Sequence, residues 1–350
     1  MKALRWHDRL DIRLDDVAEP AAGPGEVLLE VLACGICGSD LHEYLEGPVY
    51  IPKGPHPLTG VSPPVTLGHE FCGVVRHVGA DVATVRAGDR VTVNPCLLCG
   101  ECAWCRRGQP NLCAKLGTLG LSRDGAFAPL VTALASGCHR LPAGVSDQAG
   151  AAVEPLAVAV HAARRARLAG SERVALVGAG PIGLLLLQVL KAQGTPWLAV
   201  IEPREERRRL ASLLGADVVI DPQAQDPARM LAELTDNLRA EVAFECAGSP
   251  AAFATAFRLA GKGGRVVVVG LVPAQVQVNL LALLAHEKSI VGSSAYTDEF
   301  PAAIALLVEG RVRIEPLVTA TVPLAAALPR GLEALRRREE AHVKIMVTPE

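Results

Sequence analysis

A single glycine-rich hexapeptide restricts what this chain can fold into more than any other feature. Gly178-Ala179-Gly180-Pro181-Ile182-Gly183 separates an apolar run with strand character, residues 173–177, from a helix-like apolar segment that opens at Pro181. A G-x-G-x-x-G says little alone, but at a strand-to-helix turn it is specific. The first glycine permits the tight turn and the second lets a pyrophosphate approach the backbone. The third lets helix and strand pack closely, with the phosphates at the helix N-terminus. The alternation then continues. Residues 198–201 read as a strand, a charged helix opens at Arg204, and residues 218–220, 242–244 and 266–269 supply three more strands. Repetition of this kind specifies an α/β unit: a doubly wound parallel sheet covered by helices.

Glu202 ends the second of these strands, where a carboxylate can bind a ribose 2′-hydroxyl and would repel a 2′-phosphate. NAD is therefore expected over NADP, although Arg204 and Arg207 stand near enough to meet a phosphate. Gly178, Gly180, Pro181, Ile182, Gly183, Glu202 and Arg207 form the expected cofactor set.

Residues 1 to about 150 have another texture. Short β-like runs at 26–31, 74–78 and 90–93 alternate with Gly/Pro turns such as 20–25 and 47–64, which suits a compact, irregular β domain. After about residue 292 the alternation weakens, and residues 343–347 read as one more strand, expected to return to the first domain. Lys and Arg number 35 against 37 acidic residues, so no global field favours nucleic acid or an anionic membrane. The N-terminus has no apolar signal core, and the most apolar stretch, 174–190, is broken by glycines and a proline; a cytoplasmic protein is expected.

In a reducing compartment the ten cysteines are better read as metal ligands than as disulfides. Cys99, Cys102, Cys105 and Cys113 can close a tetrahedral sphere, the arrangement of a structural zinc. Cys96 makes a second frame, 96-99-102-105, available by arithmetic; Gly100, Gly108 and Pro110 favour the frame that begins at Cys99. A second set is dispersed: Cys37 with Ser39, Asp40 and His42, then His69-Glu70, then Glu154 at a predicted helix start. A catalytic zinc takes three protein ligands and leaves a position open, and Cys37 and His69 with Glu70 or Glu154 can supply them. Singly, His69 could be a core histidine and Glu154 a helix-start acid beside Pro155.

Taken together, these residues resemble the zinc-dependent medium-chain alcohol dehydrogenases over essentially the whole chain. The resemblance implies a GroES-like β-barrel catalytic domain with a structural zinc lobe (1–152), an NAD-binding Rossmann domain (153–292) and a C-terminal segment returning to the catalytic domain (293–350). The segments 39–48, 56–60 and 153–159 are more specifically similar to the (R,R)-2,3-butanediol dehydrogenases, with sorbitol and threonine dehydrogenases close by. Carried over, the family makes Cys37 and His69 zinc ligands, with Glu70 or Glu154 as the carboxylate. It makes Asp40 the partner that orients His69, Ser39 and His42 a proton relay, and Lys344 a basic residue near the pyrophosphate. It implies two zinc ions and NAD, and a homodimer or homotetramer paired along the Rossmann edge at 278–284 and 290–292. Pro129-Leu130 departs from the family pattern and puts a strand there in question. Cys34, Cys72, Cys96, Cys138 and Cys246 are left as small buried hydrophobes. The expected activity is oxidation of a vicinal secondary diol to a hydroxyketone, with a sorbitol, other polyol or L-threonine dehydrogenase as the alternative. A reductase-like fold kept only for binding would need the four-cysteine lobe but not the second set.

Overall fold

The computed structural model describes residues 1–271, 275–337 and 342–349. The chain divides into two compact units, Met1–Glu154 with Val318–Glu350, and Pro155–Leu317.

The first unit is built on a seven-stranded sheet. Its path runs Cys138–Arg140, Arg90–Val93, Glu70–Val78, Glu26–Gly35, Lys344–Thr348 and Val318–Pro323, and Leu130–Leu134 also pairs with Glu26–Gly35. A smaller sheet sets Lys2–Asp8 between Asp11–Asp16 and Val65–Thr66. The 26–31 run extends further than its β-like residues suggest, through Cys34 to Gly35, because both flanking strands supply partners that far. A strand does form after Pro129: proline stands just before Leu130–Leu134, where its missing N–H costs nothing, and its carbonyl accepts from Val31 N at 2.9 Å. The core of this unit gathers Leu4, Trp6, Leu29, Leu67, Phe71, Phe127, Val131 and Ile345, all essentially sealed from solvent.

The second unit carries a six-stranded, wholly parallel sheet. Its order is Val218–Ile220, Trp197–Ile201, Arg173–Val177, Ala240–Glu245, Ala260–Val268, Ser289–Gly292. Counted along the chain this is 3-2-1-4-5-6, the doubly wound Rossmann order, whose direction reverses beside the first strand and opens a ligand crevice there. The central strands, Trp197–Ile201, Arg173–Val177 and Ala240–Glu245, are Val-, Ala- and Ile-rich and largely buried along both faces, as covered parallel strands are. Among the described residues no helix is long and apolar enough to cross a membrane.

The chain rejoins the first unit later than the weakening alternation suggests. Residues 293–317 cluster with the second unit, and the crossing comes at Val318. The helix Phe300–Val308 explains this. Glu299 at its N-cap accepts from buried His161 at 2.9 Å and pairs with Arg164 at 3.0 Å, and Gln188 bonds the backbone of Arg313 at both ends of its amide.

Candidate metal and dinucleotide sites

Cys37 caps the helix Gly38–Glu46. Asp40 closes the cap by accepting the Cys37 N–H at 2.9 Å. Helical spacing puts Ser39 and His42 on one face; Ser39 Oγ lies 3.2 Å from His69 Nε2, and His42 reaches partly to solvent, 3.8 Å from Glu46. His69 follows Gly68, whose φ of +93° bends the chain where a Cβ would strike Phe127 and Cys34. Glu70 then opens its strand opposite Gly35, a register that sets the carboxylate beside the end of the strand leading to Cys37.

The ligand atoms of Cys37, His69 and Glu70 all lie within 4.8 Å of one another. Glu154 is not in that group; it is buried nearby and acts on His69 and Lys344 through its charge. Asp40 Oδ1 and His69 Nδ1 are 3.6 Å apart, both buried and both without a hydrogen-bond partner. Burial alone would lower the His69 pKa, but Asp40, Cys37 and Glu154 carry it well above 6.5. A thiol, an imidazole and a carboxyl converge here amid surplus negative charge, a donor set that suits zinc.

Lys344 meets the acid of the metal-ligand cluster. It is buried in the first unit, its ammonium donating to the Ile36 carbonyl at 3.0 Å and pairing with Glu70. The cause is register: the tail strand runs antiparallel to Glu26–Gly35 with Met346 opposite Gly35, which points the lysine at Glu70. No short-range signal announces this contact, nor the glycine that makes room for it. A Cβ on Gly35 would sit 2.3 Å from Glu70 Oε2.

The four-cysteine lobe is local. Cys99, Cys102, Cys105 and Cys113 bring their sulfurs within 4.8 Å of each other, with Cys99–Cys113 at 3.5 Å and Cys102–Cys105 at 3.6 Å. Backbone N–H groups point at these sulfurs: Cys99 and Lys115 donate to Cys113 at 3.4 Å, and N–H groups of Ala114 and Cys105 push Cys102 down to about 6. Cys105 goes the other way, pushed up to about 12 by burial and by the thiols around it, so four crowded sulfurs favour a cation among them. Cys96 stays outside, held in a short strand against Thr118, which decides between the two frames. Of the leftover cysteines, Cys34 and Cys72 are buried, whereas Cys96, Cys138 and Cys246 are only partly so.

In the second unit Gly178 has φ +102° and would drive a Cβ into Ala247. A Cβ on Gly183 would meet Gly178 O at 2.0 Å. At Gly180, the cap of Pro181–Ala192, a Cβ would meet, among the described residues, Arg207 Nη1 alone, at 3.8 Å, so the turn is open beside the helix N-terminus. Glu202 is buried and turned onto the same loop, accepting from Ala179 N at 2.8 Å and Arg204 N at 3.0 Å. Its rotamer is thereby held, with lone pairs left for a ribose diol.

Two family models match the chain: an alcohol dehydrogenase GroES-like domain over residues 23–143 and a zinc-binding dehydrogenase over residues 181–309. The (R,R)-butanediol dehydrogenase of Bacillus subtilis is 38% identical, covering 100% of both chains. A sorbitol dehydrogenase of the same organism is 33% identical over 100% of this chain and 97% of its own. The crystal structure of 2R,3R-butanediol dehydrogenase from Bacillus subtilis superposes with a TM-score of 0.92, covering 100% of this chain and 99% of that one. Two further similar structures hold cofactor. One is a zinc-binding dehydrogenase of Sinorhizobium meliloti with NADP, at 32% identity, TM-score 0.91 and 99% of each chain. The other is an Escherichia coli alcohol dehydrogenase with NADH, at 28%, 0.89 and 99% of each.

Proposed function

Because the chain belongs to the zinc-binding alcohol dehydrogenases, we propose that it oxidises a short vicinal secondary diol to the hydroxyketone with NAD, 2,3-butanediol and acetoin being the favoured pair. The convergence of half-buried Cys37 with buried His69 and Glu70 in one cluster carries the reading, since a bracing role would not need it. Full-length likeness to a butanediol dehydrogenase supports the substrate. Likeness to a sorbitol dehydrogenase supports polyols as the second reading.

Cys37 and His69, with Glu70 or Glu154, would hold the catalytic zinc; Cys99, Cys102, Cys105 and Cys113 would hold the structural one. When bound, the zinc supplies Lewis acidity that acidifies the alcohol, and the nicotinamide accepts its hydride. Asp40 orients His69, as carboxylates behind ligating histidines do. Ser39 takes the hydroxyl proton and His42 passes it toward solvent at the half-exposed face of its helix. The Gly178–Gly183 turn receives the pyrophosphate, with Arg207 beside it. Glu202 receives the ribose diol, a carboxylate that disfavours a 2′-phosphate.

A homodimer or homotetramer is part of the reading. Leu280, Leu281 and Leu284 are 70, 73 and 77% exposed and adjoin the edge strand Ser289–Gly292. Ten cysteines without a disulfide are in keeping with a cytoplasmic location. The test is NAD reduction by purified zinc-loaded enzyme with butanediol, sorbitol and threonine side by side. The highest kcat/KM is expected on butanediol, and no turnover of any diol or polyol would end the proposal.

A further inference from the structure

The Glu245 carboxylate has no part in the chemistry above, yet it is sealed from solvent at the last position of the strand Ala240–Glu245. One oxygen, Oε1, accepts from Ala247 N at 2.9 Å and Gly248 N at 2.7 Å. The other, Oε2, is buried and has no hydrogen-bond partner among the described residues. The Glu245 carbonyl accepts from Val269 N at 2.9 Å and Gly270 N at 3.0 Å, where the chain leaves the neighbouring strand Ala260–Val268. A Cβ on Gly270 would stand 2.6 Å from Oε2 and 2.5 Å from Gly248 N, and one on Gly248 would stand 2.9 Å from Leu271 O. One residue therefore ties the loop 246–249 to the loop 269–271, and bare backbone lets the two close on each other. Burial pushes this carboxyl up, and the N–H groups of Gly248, Ala247, Ser249 and Gly270 offset that only in part.

Hydrogen bonds and close contacts fix where these loops stand. Cys246 N donates to Val177 O at 2.8 Å, at the end of the strand that leads into the dinucleotide turn. Ala247 fills the space beside Gly178: a Cβ on that glycine would come within 2.9 Å of Ala247 Cβ. In the sheet, the turn follows the first strand and Glu202 ends the second. The two loops follow the fourth and fifth strands, on the other side of the reversal. A dinucleotide lies across that reversal, one nucleotide on each half. With the pyrophosphate at Gly178–Gly183 and the adenosine ribose at Glu202, the nicotinamide nucleotide falls over 246–249 and 269–271.

We infer that Glu245 is a positioning residue for the cofactor: it holds the loops 246–249 and 269–271 as one ledge, on which the nicotinamide nucleotide rests. Glu245 touches no cofactor atom and acts through the loops it joins. Because Oε2 is idle, the role needs an acceptor at Oε1 and not a charge. The inference rests on the proposed function only for the cofactor, a nicotinamide dinucleotide, and not for the alcohol that reacts.

The test is calorimetric binding of NADH, and of ADP, which lacks the nicotinamide nucleotide. The proteins are zinc-loaded wild type, Glu245→Ala, Glu245→Gln, Gly270→Ala and the Glu245→Ala/Gly270→Ala double variant. Glu245→Ala removes the acceptor of two N–H groups and should raise the NADH Kd about tenfold, with the ADP Kd held within about twofold. Glu245→Gln keeps an acceptor at Oε1 and should stay within about threefold of wild type on NADH. Gly270→Ala wedges the loops apart and should weaken NADH in the same direction, adding little in the double variant because both changes undo one arrangement. An unchanged NADH Kd in Glu245→Ala, an ADP Kd that rises as much as the NADH one, a Glu245→Gln as weak as Glu245→Ala, or a double-variant rise equal to the product of the singles would each overturn the inference. If Glu245→Ala does not fold, an unchanged NADH Kd in Gly270→Ala overturns it instead. No alcohol enters the measurement, so a failed diol assay ends the diol reading without touching this one. Should wild type bind NADPH in place of NADH, the NAD reading falls while the same comparison on NADPH still tests Glu245.

Discussion

A side chain at Gly35 would collide with the Glu70 carboxylate, so the strand leading to Cys37 can pass that acid only because it is bare there. The space left open admits the Lys344 ammonium, and the two charges pair out of water. Removing either member would strand the other as an uncompensated buried charge, which costs more than the pair itself contributes. Cys37 is the residue on which this arrangement and the chemistry both turn. Cys37→Ala is expected to abolish turnover and to lower zinc from two ions per chain to one, the survivor held by the four-cysteine lobe. Metal analysis alongside the NAD assay checks this, and retained activity would remove Cys37 from the site. Cys37 and His69 were legible as candidate ligands in residue type, whereas the choice between Glu70 and Glu154 was not. The contacts of Lys344 and Glu245 were not legible either, because a lysine near the terminus and a glutamate at a strand end carry no local mark of what they will meet.

Among the elements, the helix Gly38–Glu46 does the most with the fewest residues, since its cap Cys37 joins the cluster with His69 and Glu70, its Ser39 lies against His69, and its Glu43 anchors the turn at 49–51. The Phe300–Val308 helix illustrates anchoring by charge. Burial would raise the Glu299 carboxyl, but hydrogen bonds from His161 and Thr297 N, with the charges of His161 and Arg164, hold it at about 2 against an ordinary 4.5. A folded pKa below the unfolded one means stability that is complete above about pH 4.5 and lost as pH falls toward 2. Glu299→Gln should therefore lower Tm at neutral pH, and the gap from wild type should close across that acid window. A gap of constant size would assign the contribution to packing. Strand centres were readable from apolar runs, whereas strand ends depended on partners: Glu26–Gly35 continues past its β-like residues because neighbours on both sides still offer hydrogen bonds.

At the scale of the molecule, Leu280, Leu281 and Leu284 on the helix Leu280–Ala285 are the most exposed large apolar side chains among the described residues. Light scattering of wild type is expected to give a dimer or tetramer at micromolar concentration, and Leu281→Asp/Leu284→Asp a smaller species. A wild-type monomer would contradict the assembly. The division of labour between sequence and tertiary structure follows the range of the contacts. The hexapeptide at Gly178 and, apart from the exclusion of Cys96, the four-cysteine lobe were determined by sequence alone, because each closes within one turn or one short loop, where spacing is geometry. The cluster of Cys37, His69 and Glu70, and the lysine beside it, was decided by the fold. These groups meet only because two antiparallel registers set Glu70 on one side of Gly35 and Met346 on the other, bringing together segments that the chain itself holds far apart.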